Sequence, residues 1–333
     1  MDQLTAHLDR GWDLAQKGDT RGAETSARRA IEINPESPEA HNLLGYIASL
    51  DGDCDEAVEA YLQAISLDET YVEAMLNAAE LYVHPIADFE QAIDLCERVL
   101  DITDYDDEIL DALLLKFEAL WAMGDDDEAK KILARLPAGP FETPAQSFLA
   151  GRALFEAGEV ARAKPLLEAA LAAEPDHAEA GYYLGMLAES EGDFAKASLC
   201  FLRVRQLELE AGLPPWAPDE QSFMGLMDRA AAELPEELGA LLKNAEIYVV
   251  DLPGAEMIVE GADVHSLALV DAVGVRPRSG AESDEVGLRV FLYAINILRT
   301  AGGIHAVQNV IKDALERELT ALVAELRGDG ESN

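Results

Sequence analysis

Leu44-Gly45-Tyr46-Ile47-Ala48-Ser49-Leu50-Asp51-Gly52-Asp53-Cys54-Asp55-Glu56-Ala57-Val58-Glu59-Ala60-Tyr61-Leu62-Gln63-Ala64 is the stretch whose reading decides the fold of this 333-residue chain. Its small residues Gly45, Ala57 and Ala64 each stand 34 positions after Gly11, Ala23 and Ala30. The same register returns as Gly151, Ala163 and Ala170, and again as Gly185, Ala197 and Val204. A fixed period of this length signals stacked helical hairpins, none of which can bury its apolar face alone. Such stacks build extended binding surfaces, so the period points to a class of function before any single site does.

Gly18-Asp19, Gly52-Asp53, Gly158-Glu159 and Gly192-Asp193 mark the turns inside the hairpins, where glycine can end a helix in the left-handed conformation. Glycine and alanine on the facing helices let backbones approach, and Tyr61 and Phe201 fill the gap to the next hairpin. In this pattern Gly11, Ala23, Ala27, Ala30 and Pro35 form one unit, and Leu44-Gly45, Ala57, Tyr61 and Ala64 the next. Gly151, Ala163, Leu167, Ala170 and Pro175 form another, followed by Leu184-Gly185, Ala197 and Phe201. On these residues, 1–210 resembles tetratricopeptide repeats, which implies an all-α superhelix of about six helical hairpins. Two units fit less well. Residues 72–104, with Ala92, Cys96 and Val99, carry an insertion near His84-Pro85. Residues 108–136 offer Ala129, Leu133 and a turn at Gly124-Asp125-Asp126-Asp127. Pro137, Gly139, Pro140 and Pro144 then interrupt any helix. The expectation is three or four hairpins, a break at 137–144 where the array bends or changes pitch, and two more.

The resemblance implies that first helices line a concave face. That face would present Trp12, Glu39, Asn42, Tyr46, Glu73, Leu76, Asn77 and Glu80, and beyond the break Phe148, Arg152, Phe155, Glu179, Tyr182, Met186 and Glu189. Some related arrays grip a peptide's C-terminal carboxylate with Lys, Arg and Asn. The comparable positions here are Leu8, Trp12, Leu43, Glu73 and Asn77, which argues against a receptor for chaperone tails. Aromatic anchors among carboxylates suit a basic or amphipathic protein segment, though the same aromatics would also serve as packing between helices.

The period stops near Leu209, and residues 211–218, with Pro214, Pro215 and Pro218, read as a stiff linker. Residues 219–333 read as a small α+β domain. Phe223, Leu226, Met227 and Ala230 share a helix face, Glu246–Asp251, Ser266–Asp271 and Val286–Leu292 are candidate strands, and a long helix runs from about Ile304 to Leu326. The order Phe223, Leu234-Pro235, Asn244, the strand Glu246–Val250 and Asp251-Leu252-Pro253 resembles a small bacterial zincin-like metallopeptidase family. That family needs His-Glu-x-x-His on a helix: two histidines one turn apart hold zinc and the glutamate activates its water. The motif is absent. Arg317-Glu318-Leu319-Thr320-Ala321 takes its place, keeping Glu318 but putting Arg317 and Ala321 where both ligands should be. The resemblance then implies a zincin-like domain that has lost its metal, with no catalytic residues and no cofactor; an unrelated α+β domain is the other possibility.

Net charge is −40, from 65 acidic and 25 basic residues. Residues 1–218 hold 44 acids and 16 bases, and 219–333 hold 21 and 9, so both parts are acidic. Phosphate backbones and anionic membranes would be repelled, which argues against nucleic-acid and membrane partners, whereas basic partners would be steered inward. Solubility or a salty habitat would account for the acidity as well. No apolar run is long enough to span a bilayer and no signal peptide is visible. Cys54, Cys96 and Cys200 read as free thiols in a reducing compartment, which suggests a bacterial cytoplasm. Gly302-Gly303 lacks the Lys and Ser/Thr of a phosphate loop, and Asp125-Asp126-Asp127-Glu128 lacks the alternation of a calcium loop.

The expected function is a non-catalytic adaptor, escort or chaperone, or protease inhibitor, holding a basic or amphipathic segment. Two rivals remain open: an active zinc peptidase with a recruiting array, and an acidic mimic of nucleic acid.

Overall fold

The computed structural model describes residues 3–137, 139, 141, 143–243, 245–273 and 287–328. Pro140, Asn244 and Val286, all used above, lie outside them. The chain divides into two compact units, Met1–Pro175 and Asp176–Asn333.

The first unit holds, among its described residues, ten helices: α1 (Gln3–Gln16), α2 (Thr20–Ile33), α3 (Pro38–Leu50), α4 (Cys54–Leu67), α5 (Val72–Val83), α6 (Phe89–Ile102), α7 (Asp106–Ala122), α8 (Asp126–Leu133), α9 (Pro144–Glu156) and α10 (Val160–Ala173). Consecutive helices pack in pairs, and each pair stacks on the next. The turn chemistry repeats. Gly18, Gly52, Gly124 and Gly158 take φ of 77°, 79°, 77° and 84°. Asp19, Asp53 and Asp125 then cap the second helix by accepting from the N–H three residues on.

The third turn lacks glycine. Ala87 takes the left-handed conformation there, with φ of 59°, before Asp88 caps α6. A Cβ makes that backbone costly by roughly 1–2 kcal/mol, and glycine's greater freedom when unfolded offsets part of the relief. Exposed Ala87→Gly is expected to stabilise the chain by roughly 0.5–1 kcal/mol. A thermal melt reads this as a higher midpoint, and an unchanged midpoint would contradict it.

Helix packing explains the small residues. A Cβ built on Gly45 would stand 2.7 Å from the Tyr61 ring, and one on Gly11 would stand 2.6 Å from Leu43 Cδ2. The second helix of the fourth hairpin is short: α8 spans eight residues where α2, α4, α6 and α10 span 14. Thr143 and Gln146 then form a capping box that starts α9 behind Pro144. α7 packs directly on α9, so the first helices continue their stack.

The second unit holds the sixth hairpin, α11 (Ala178–Ser190) and α12 (Phe194–Ala211), and the C-terminal module. The module runs α13 (Glu220–Ala232), α14 (Glu236–Leu242), β1 (Glu246–Val250), α15 (Ala255–Val259), β2 (Ala268–Val273), β3 (Gly287–Tyr293), α16 (Ala294–Ala301) and α17 (Val307–Gly328). Its described strands lie in the order β1-β3-β2, with β1 parallel and β2 antiparallel to β3. The predicted 266–271 strand begins two residues later than expected, because residues 263–266 turn, with the Ser266 N–H donating to the Asp263 carbonyl. Val290 and Leu292 of β3 pack with Phe223, Met227, Ile311 and Leu315 in one core. Trp216 and Ala217, within the proline-rich 211–218 stretch, pack against that core. Compactness thus divides the chain at Pro175, while the repeat helices end at Ala211. The zincin-like likeness of the module rests on its sequence. Among the described residues no helix is long and apolar enough to cross a membrane.

Candidate functional site

Helices α5, α7 and α9 lie side by side as first members of their hairpins. Their outer faces enclose a groove of about 570 Å³. Leu76, Leu114, Leu115 and Leu149 give it apolar surface, and Glu73, Glu80, Asp111 and Glu118 give it carboxylates. Asn77, His84 and Arg152 complete the lining.

One carboxylate ties the groove together. Glu118 accepts from His84 Nε2 at 3.0 Å on one oxygen and from the Arg152 guanidinium on the other. Both partners stand 34 residues from Glu118, so equivalent positions of three successive hairpins are linked. Arg152 also lies over the buried Phe148 ring, 6.0 Å from its centroid. Asp111 is half-buried, and desolvation, with the charges of Asp107 and Glu80, pushes its carboxyl up to about 6. A second network joins α3 to α5: Asn77 Nδ2 donates to Asn42 Oδ1 at 3.2 Å, Asn42 Nδ2 to the Tyr71 hydroxyl at 3.4 Å, and that hydroxyl to Glu73 at 3.3 Å.

Of the residues expected on the concave face, Glu73, Leu76, Asn77, Glu80 and Arg152 converge in this groove. Trp12 and Tyr46 pair with each other, ring centroids 5.1 Å apart. Asn42 is fully buried and serves the interhelical network; Phe148 is buried as well. Glu39 is exposed at the start of α3, Phe155 is half-buried on α9, and Glu179 is exposed on α11. Sequence reasoning missed His84, Asp111 and Glu118. The signal was present: Asp111 stands 34 residues after Asn77, and Glu118 stands midway between His84 and Arg152. The fourth repeat matched the pattern too weakly to set the register of α7.

Tyr182, Met186 and Glu189 line a different pocket, inside the second unit, with the segment 258–263. The Tyr182 hydroxyl donates to Asp263 at 3.4 Å, and its ring centroid lies 4.1 Å from that of His265. Burial, then the carboxylates Asp263 and Glu189, push that hydroxyl up to about 12. Behind it, Glu208 of α12 is 2% exposed. One of its oxygens accepts from both His265 Nε2, at 2.8 Å, and Arg299. The other has no partner among the described residues. Burial pushes the Glu208 carboxyl up, but the hydrogen bonds and charges of His265 and Arg299 outweigh it and hold the group below its ordinary value. Arg205 adds a hydrogen bond to the Pro253 carbonyl at 2.6 Å.

On α17, Arg317 Nε lies 3.3 Å from Glu318 Oε1, and Ala321 follows one turn on. Burial first and then the charge of Glu318 push the Tyr293 hydroxyl up to about 12. Among the described residues no group of three His, Cys, Asp or Glu is placed to hold a metal ion. Burial pushes the Cys96 thiol up to about 12 and raises Cys200 too, so both stay protonated at neutral pH.

A tetratricopeptide repeat profile matches residues 8–72 and 148–204, and a second profile of the same description matches 87–150. Together they cover more than half of the chain. No curated protein matches it in sequence. Among solved structures, pilF of Pseudomonas aeruginosa is 19% identical and superposes with a TM-score of 0.54, over 62% of this chain and 91% of its own. PilW, a widely conserved type IV pilus biogenesis factor, is 18% identical with a TM-score of 0.53, over 61% of this chain and 92% of its own. At this identity the likeness is one of fold.

Proposed function

Since the chain belongs to the tetratricopeptide repeat family, a family of protein-interaction scaffolds, we propose that it is a non-catalytic adaptor that holds a basic or amphipathic segment of a protein partner in the groove on α5, α7 and α9. The observation that carries this reading is the groove's composition: four leucines beside four carboxylates, with Arg152 and His84 already committed to Glu118. A lysine or arginine of the partner would pair with Glu73, Glu80 or Asp111, and an apolar neighbour would cover the leucines. Roles as an escort or protease inhibitor in the cytoplasm are consistent with it. The C-terminal module is read as a zincin-like domain without peptidase activity. Supporting this, the motif positions offer a cation and a methyl group where ligands are needed, and an arginine opposes zinc.

An array of amphipathic peptides of graded charge tests the groove. Retained peptides are expected to be basic, and Glu73→Gln with Glu80→Gln and Asp111→Asn should weaken them at least tenfold at pH 7.5. Because Asp111 takes up a proton near pH 6, affinity should also fall between pH 7 and pH 5 in the unsubstituted protein. Retention of acidic peptides, or basic binding that survives the triple substitution, would refute the reading.

A further inference from the structure

The sixth hairpin carries a site that the other repeats do not share, because the chain's own C-terminal module covers part of it. α12 packs against α15, and Ile258, which is 2% exposed, clusters with Ala197, Phe201 and Val204. What remains between Tyr182 and Met186 on one side and residues 258–263 on the other is an open pocket of about 490 Å³. Two large apolar side chains of its lining stay in water: Phe194 is 65% exposed and Val259 is 59% exposed. Every charged residue of the lining is acidic, namely Glu189, Glu260 and Asp263.

From this arrangement we propose that the pocket between α11–α12 and α15 is a second protein-docking site, taking a peptide segment that sets a phenylalanine or leucine beside a lysine or arginine. The apolar side chain enters between Met186, Phe201 and Ile258 and covers Phe194 and Val259. The cation pairs with Glu189 or Glu260 at the rim, where a like-charged partner would be repelled. Asp263 is less available, since it already accepts from the Tyr182 hydroxyl and the His265 N–H. The site goes beyond the groove of the first unit.

The test uses the full chain with methyl-labelled methionine, the Met186 signal being identified by its loss in Met186→Leu. Amidated Arg-Phe-Leu-Lys is the probe, with Glu-Phe-Leu-Glu and Arg-Ser-Ser-Lys as controls. The Met186 methyl should shift saturably with the first peptide and stay put with the controls. Phe194→Ser with Val259→Ser should raise the apparent Kd at least tenfold, as should Glu189→Gln with Glu260→Gln, which leaves the apolar surface intact. Glu73→Gln with Glu80→Gln should leave this shift unchanged, which separates the pocket from the groove. Equal shifts with all three peptides, no shift at all, or indifference to both pairs of substitutions would overturn the proposal. So would a dimer seen by sedimentation without peptide and abolished by Phe194→Ser, because the occupant would then be a second copy of the chain.

Discussion

Arg299→Met is expected to destabilise the second unit by about 2–3 kcal/mol at pH 7, and to flatten the local dependence of stability on pH. Glu208 is nearly inaccessible, and only one of its oxygens has partners. Removing one member of a buried ion pair typically costs about 3–5 kcal/mol, because the remaining charge stays desolvated. The figure here is smaller, since His265 remains and Arg299 itself is half exposed. The slopes differ between the two proteins. In the unsubstituted chain the Glu208 carboxyl is held low. Its contribution is present above the ordinary carboxylate range and is lost as pH falls through its folded value. In the variant the hydrogen bond and charge of Arg299 are gone while burial and His265 remain, so less stability should be lost as pH drops from 7 toward 5. Urea unfolding followed by Trp216 fluorescence, with Trp12→Phe and Trp121→Phe as background, reads the second unit directly. Adding Glu208→Gln to Arg299→Met should recover part of the loss. Equal midpoints at pH 7, or an unchanged pH slope, would show that the cluster does not hold the sixth hairpin to the module.

Gly45→Val is the second large effect, at roughly 3 kcal/mol against the first unit. The new Cβ would meet two carbons of the Tyr61 ring at 2.7 Å and the Ala57 carbonyl oxygen at 3.0 Å. Tyr61 is 2% exposed and has nowhere to turn, and the carbonyl belongs to the helix backbone. Relief requires α3 and α4 to separate, which would loosen the packing of Ala48, Ala57 and Ala64. Gly45→Ala gains about 1 kcal/mol of helix propensity and should still come out destabilising. Gly225 gives the contrast. It too lies inside a helix, but a Cβ there would find only the far end of Arg229, at 3.8 Å. Gly225→Ala is therefore expected to stabilise by about 1 kcal/mol. If thermal melts move the same way for both alanine substitutions, close approach does not explain the glycine at position 45.

These two regions also mark what the amino-acid order discloses. Gly45 and Tyr61 belong to one 34-residue period, so their contact could be anticipated from spacing alone. The same holds for the glycine turns at Gly18, Gly52, Gly158 and Gly192. Glu208 and Arg299 are 91 residues apart with no repeat to connect them, and nothing local marks either as part of a pair. Asp111 was hidden for another reason. α7 carries apolar residues nearly all round, including Leu110, Leu113, Leu114, Phe117 and Leu120, so no single face announces itself. The pocket at Tyr182 combines both difficulties, since half of it comes from a repeat and half from a segment of unrelated character.

The His84–Glu118–Arg152 strut has a consequence for how this array could have changed length. Most tetratricopeptide contacts are alike from unit to unit, so a 34-residue block could be duplicated or excised with little offence to the packing. Here the three positions are chemically distinct and their order matters. Excising the fourth unit would bring His84 against Arg152 with no anion between them, and inserting a copy of it would set one glutamate against another. The third, fourth and fifth hairpins are thereby bound as a numbered sequence, and the width of the acidic groove is fixed with them.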